Sequence, residues 1–174
     1  KISTPKRPAL ISKAFGTPFI SGKDSLNNEF VTETGERISI PPTLLISALA
    51  IVPDVRKCTT MNLKRAGNAI YLIGQTKAEL GGSHYWMLQG AIGNSVPQVD
   101  FKLAKQIFGK VHSAIQQRLV AACHDCSEGG LSVALAEMAF AGGLGAVIDV
   151  TAMNVPAEVA LFSESPSRFV VEVP

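Results

Sequence analysis

Charge is scarce in this chain. Only 17% of residues are charged, and the signs nearly cancel to a formal +2. No basic block or stripe exists, so a nucleic-acid polyanion is not the expected partner. Long apolar runs are missing too. None approaches the roughly 20 residues that span a bilayer. The basic start at Lys1, Lys6 and Arg7 has no apolar core behind it of the kind a signal peptide carries. A membrane is therefore not an expected partner. Cysteines number three, Cys58, Cys123 and Cys126. An odd count without framework spacing fits a reducing, cytoplasmic setting. Cys123-His124-Asp125-Cys126 contains a C-x-x-C, yet a zinc site would need a second ligand pair, and Cys58, His84 and His112 are not at ligand spacing. Buried thiols are the expectation. There is no initiator methionine, and residues 169–174 read as a strand in progress. Both ends look cut from something longer, with part of a site left outside.

What is present is apolar material, 47% of 174 residues. That suffices for a real core and argues against disorder. The length allows one domain or parts of two. Residues 8–15 read as the end of a helix closed by Gly16. Residues 17–21 read as a strand, and 27–40 as a hairpin turning at Thr34-Gly35, with Phe30 and Val31 on one side and Ile38 and Ile40 on the other. The nearly continuous apolar run 43–52 reads as a strand buried on both faces. Residues 53–67 turn polar and basic, which places a boundary there: a first domain at 1–54, a linker at 55–66 and a second domain at 67–174. The second domain is expected to hold a buried strand at 69–74. A loop at 79–86 follows, anchored by Trp86, Met87 and Leu88, then an amphipathic helix within 97–120. Its stripe is Val99, Leu103, Ile107, Val111 and Ile115, with His112 beside it in a structural role. A strand at 120–124, a helix at 131–141, a strand at 144–150 and a polar loop at 161–168 before the last strand complete it.

Three loops carry the candidate chemistry. Gly22-Lys23-Asp24-Ser25 sets a cation, a carboxylate and a hydroxyl beside a glycine. Lys23 can neutralise phosphate, Asp24 can hold a hard cation, and Ser25 can donate to oxygens. The alternative is an ordinary polar turn. Gly81-Gly82-Ser83 ahead of His84 gives a flexible loop with exposed N–H groups, to bind an anion or simply to turn the chain; His84 reads as a surface or structural histidine. Asp125, Ser127, Glu128, Gly129 and Gly130 form a strand-to-helix loop. Ser127 or Asp125 can cap the following helix, whose N-terminus would receive an anion. Alternatively, Gly129-Gly130 lets that helix pack closely.

In this order the motifs resemble a known family. Residues 20–26 with Asn28-Glu29, then Glu79-Leu80-Gly81-Gly82-Ser83, then His124 through Gly130 with Ala134–Met138, then Leu161–Ser165 with Arg168-Phe169, resemble the second half of phosphoribosylformylglycinamidine synthases. These belong to a wider aminoimidazole ribonucleotide (AIR) synthetase-like group. The resemblance implies the tail of an AIR synthase-like N-terminal α+β domain followed by a mixed α/β C-terminal domain. It implies ATP and Mg2+ as cofactors, with formylglycinamide ribonucleotide as substrate. It also implies a glutaminase supplying ammonia, and a first repeat of the same protein that carries the catalytic histidine. Gly22 would lie near ATP, and Ser25 would touch substrate. Lys23 stands where smaller members often have a magnesium-binding Asn, so it would touch phosphate instead. No catalytic residue is expected within this chain, and alone it should not turn over. An open sheet edge would invite pairing with a second copy. The alternatives are a non-catalytic half holding a structural nucleotide, or another ATP-dependent enzyme of the group.

Overall fold

The computed structural model describes residues 6–23, 28–39 and 44–174. The chain divides into two compact units, Lys1–Pro53 and Asp54–Pro174.

In the first unit, helix α1 (Lys6–Phe15) stops where Gly16 adopts φ +69°. The Thr17 N–H then reaches back to the Ser12 carbonyl at 3.1 Å, closing the last turn. The hairpin is present, as β1 (Glu29–Val31) and β2 (Arg37–Ser39), antiparallel with Phe30 opposite Ile38 and Val31 opposite Arg37. Phe30 and Val31 do not share a side, because neighbours on a strand point to opposite faces. Gly35 at φ +84° makes the turn, and Thr32 and Glu36 close it. Ile40 and Thr43 lie outside the described residues.

Two expected strands are absent. Residues 17–21 and 44–52 have no regular structure, and Ile20, Leu45, Leu49 and Ile51 are each at least 88% exposed. An apolar run becomes a strand only when another strand takes its N–H and C=O groups. Among the described residues none does.

The second unit is a mixed α/β fold. Its sheet runs β3 (Ala69–Ile73), β5 (Phe169–Val173), β4 (Ala122–Asp125), with β5 central and antiparallel to both neighbours. Alternation on β5 decides the layers. Val170 and Glu172 face one side, Phe169 and Val171 the other. Against Val170 packs α4 (Gly130–Gly142), whose Leu131, Ala134, Leu135 and Met138 recur at helical spacing and are buried with Leu63 and Ala122. On the opposite face is α3 (Phe101–Gln116), where Phe108 meets Phe169 edge-on at 5.8 Å. Asp100 caps α3 by accepting the Leu103 N–H at 3.0 Å. Ala104, Ile107 and Val111 are its buried stripe, while Val99 is 43% exposed. His112 is exposed. Strand β3, expected to be buried, is only half-buried at Ile70, Leu72 and Ile73, and Tyr71 is exposed.

Residues 55–66, expected as a linker, are docked on this unit. The Leu63 N–H donates to Met138 O at 3.1 Å. A β-carbon on Gly142 would come 2.5 Å from Leu63 O, so only glycine lets the helix end approach there. Glu172, 2% exposed, accepts from the Lys64 and Arg65 N–H groups and from Asn68 Nδ2, at 2.7, 3.0 and 2.7 Å. A carboxylate this deep is tolerable because three donors satisfy it.

Residues 144–150, expected as a strand, also lack regular structure, with Val147 fully exposed. A short helix not foreseen, α5 (Ala157–Phe162), packs against α4 through Val159 and Ala160. Among the described residues no helix is long and apolar enough to cross a membrane.

Candidate functional site

Three loops of the second unit converge. The first precedes α2 (His84–Leu88). It is not the flexible loop expected from its glycines. The Gly81 N–H donates to Ser95 O at 2.8 Å and the Gly82 N–H to Ile92 O at 2.6 Å. A β-carbon on Gly81 would come 2.7 Å from the Ser95 backbone. Ser83 is 1% exposed; its hydroxyl donates to Leu80 O at 2.5 Å and caps α2. Met87 and Leu88 are exposed and anchor nothing, whereas Tyr85 stacks on Phe162 at 5.4 Å and Trp86 is half-buried.

The second loop joins β4 to α4. Neither Ser127 nor Asp125 caps the helix. Gly129, at φ +77°, stands at the cap without a side-chain bond, and the Ser127 hydroxyl donates to the Asp125 carboxylate instead. That bond, ahead of the neighbouring His124, holds the Asp125 carboxyl below its ordinary pKa. Gly130 is the close-packing glycine: its β-carbon would sit 2.5 Å from Ser163 O.

The third loop, 163–168, is the part of the expected polar loop at 161–168 that follows α5. It is buried: Ser163, Ser165 and Arg168 are each 1% exposed or less. The Ser163 hydroxyl donates to Lys77 O at 2.7 Å, and the Lys77 N–H donates to the Ser165 hydroxyl at 3.0 Å. Arg168 donates from Nε to Ser165 O at 2.9 Å, from Nη1 to Thr76 Oγ1 at 2.9 Å, and from Nη2 to Ser163 O. Its own carbonyl accepts the Cys126 N–H at 3.0 Å. Burial pulls the guanidinium pKa down from its ordinary value, partly offset by the Glu79 and Glu164 charges.

Glu164 closes the arrangement. Its Oε1 accepts the Gly129 N–H at 2.8 Å and the His84 N–H at 3.1 Å, with His84 Nδ1 at 3.5 Å. One carboxylate oxygen thus occupies N–H groups on both glycine-bearing loops.

Beside this knot runs a groove of about 440 Å³ lined by His84, His124, Asp125, Ser127, Glu128 and Glu137, among others. His124 bridges two carboxylates, Nε2 to Glu137 Oε2 at 2.8 Å and Nδ1 to Asp125 Oδ1 at 3.2 Å. Sequence reasoning missed this pair. The only signal was that both residues belong to one strand–loop–helix motif, 13 positions apart. Among the described residues no Lys or Arg lines the groove, so its field favours cations and hydrogen-bond donors over bare phosphate. Of the other candidates, Gly22 and Lys23 belong to the first unit, and Asp24 and Ser25 lie outside the described residues.

The three thiols differ in reach. Cys58 is exposed; burial, then the Asp125 charge, pushes Cys123 up; burial pushes Cys126 up to about 11. Because the thiolate is the reactive species, a disulfide reagent at pH 8 should label Cys58 first, Cys123 slowly, and Cys126 only after denaturant. Rapid labelling of Cys126 in the folded protein would contradict its burial.

Residues 65–174 match the family model described as AIR synthase related protein, C-terminal domain. Over 158 residues the chain is 42% identical to phosphoribosylformylglycinamidine synthase subunit PurL of Alkaliphilus metalliredigens, covering 90% of this chain and 21% of that protein. It is also similar to two solved structures from Thermotoga maritima. PurL complexed with FGAR matches at 21% identity, TM-score 0.57, over 68% of this chain and 22% of that one. PurL complexed with AMPPCP matches at 21% identity, TM-score 0.54, over 68% and 19%. At that identity the likeness shows the fold. The chain spans about a fifth of the curated relative's length.

Proposed function

The chain belongs to the AIR synthase related family through its C-terminal domain, and on that footing we propose that it is part of a phosphoribosylformylglycinamidine synthase. The parent enzyme would be a ligase of purine biosynthesis in the cytoplasm. ATP would phosphorylate the amide oxygen of formylglycinamide ribonucleotide. Ammonia, drawn from glutamine by a glutaminase domain or subunit, would displace that phosphate to give the amidine. The observation that carries this reading is the 42% identity to the Alkaliphilus subunit, because it covers 90% of the chain and so extends across both units.

Within that enzyme residues 1–54 would be the tail of an N-terminal domain, and residues 67–174 the body of a C-terminal domain. Gly22 and Lys23 would approach nucleotide phosphates, with Asp24 and Ser25 completing that loop. The loop would be finished by chain from the first repeat. Asp24 would be the carboxylate of that loop placed to hold Mg2+, whose charge would offset that of the phosphates. One observation favours a second reading, in which this half holds a nucleotide without reacting it. Glu164 already occupies the N–H groups of the glycine-bearing loops, which suits a scaffold better than a turnover site.

The test is an assay of the full-length protein with formylglycinamide ribonucleotide, ATP and ammonium chloride. ADP and amidine should form together, and residues 1–174 alone should form neither. Absence of turnover by the full-length protein would overturn the reading. In the same assay Lys23→Ala should raise the KM for ATP or for the ribonucleotide about tenfold, the loss of one charge-assisted phosphate contact. Unchanged constants would reduce residues 22–25 to a turn.

A further inference from the structure

Glu79 opens the first glycine-bearing loop, and its two oxygens are unequal. Oε1 accepts the Gln98 N–H at 3.1 Å, just ahead of α3. Oε2 has no partner, and among the described residues it is the only buried side-chain polar atom in that state. The residue is 8% exposed. A buried carboxylate oxygen left bare is costly, so a native protein supplies it with a donor. Beside Glu79 is a crevice with about 20 Å³ of room, whose polar lining includes Gln75, Lys77, Gln98, Asp100 and Ser165 and whose apolar lining includes Leu103 and Ile107. That room is on the scale of a single water molecule, and the polar side offers the further partners a water needs.

We propose that this crevice is a built-in site for a single water molecule, which donates to Glu79 Oε2 and ties the start of α3 to the three-loop knot. The bound species is a neutral donor. No three His, Cys, Asp or Glu side chains converge there among the described residues, so a metal ion would lack its ligands. The water extends the role of Glu79. Through Oε1 it holds the backbone at Gln98 directly, and through Oε2 it holds the same helix start by relay.

The test is a crystal structure of the full-length protein at a resolution that shows ordered water, with a rubidium-soaked crystal alongside. A peak about 2.5–3.0 Å from Glu79 Oε2, without anomalous signal after the soak, is the expected result. Glu79→Gln should keep the peak, since an amide still bonds to water, and Glu79→Met should lose it. A protein side chain donating directly to Oε2, a crevice without density, or a rubidium signal at the peak would each overturn the proposal.

Discussion

Replacing Arg168 with alanine should destabilise the second unit by about 3–5 kcal/mol, the range for removing one member of a buried charged network. Arg168 is 1% exposed and makes three hydrogen bonds, to Ser163 O, Ser165 O and Thr76 Oγ1. Truncation removes all three donors and leaves buried carbonyls unpaired, which costs more than the bonds contributed net. It also leaves the Glu79 and Glu164 charges without the cation that faces them. Arg168→Lys should recover little, because a single ammonium cannot reproduce the planar fork. Trp86 is the chain's only tryptophan and lies beside the knot, so urea unfolding can be followed by its fluorescence. A loss below about 1 kcal/mol would mean that the guanidinium behaves as a surface charge.

Gly130→Ala should cost about 2–5 kcal/mol, and clearly more than Gly129→Ala. Both glycines have positive φ, +66° and +77°, so alanine at either incurs the left-handed backbone penalty of about 1–2 kcal/mol. What separates them is the neighbour. At Gly130 the new β-carbon meets Ser163 O at 2.5 Å and Leu161 O at 2.9 Å, both backbone atoms where the end of α5 passes into the third loop. Relief requires that loop to move, which adds an overpacking cost of about 1–3 kcal/mol. At Gly129 the contacts are Val133 Cγ2 at 2.3 Å and Cβ at 3.0 Å, atoms of one side chain that is 38% exposed and has solvent to shift into, with no backbone in the way. Paired thermal melts of the two variants check the ranking. Equal effects would mean that backbone conformation alone, and not the close approach of loop and helix, requires glycine at 130.

The sequence made the second unit legible wherever periodicity was backed by a tertiary partner. Residues 131–138 are apolar at helical spacing and form α4, and Ala69–Ile73 pairs with the terminal strand as β3. The same reasoning failed at 17–21, 44–52 and 144–150. Those stretches have strand-like composition, but no described residue offers them a pairing edge. Composition records the readiness of a segment to pair, and pairing is non-local. The loops failed in a different way. Ser163, Ser165 and Arg168 stand in a stretch read only as a polar loop, and such residues are mostly exposed. They are interior here because each one's hydrogen-bonding capacity is met by Thr76, Lys77 or another member of the same loop. No local pattern carries that information. The glycine loops left open an anion site or a plain turn, and a carboxylate 35 residues downstream of Gly129 was not visible as the group that takes the Gly129 N–H.

One carboxylate, Glu164, joins two loops that are distant in sequence. Hydrogen exchange on the full-length protein carrying Glu164→Ala tests it most directly. Exchange should quicken together in the segments around 83–89 and 126–131, where the His84 and Gly129 N–H groups lose their shared acceptor, while β3, β4 and β5 stay protected. Faster exchange confined to 163–168, with the two glycine-bearing loops unchanged, would contradict it.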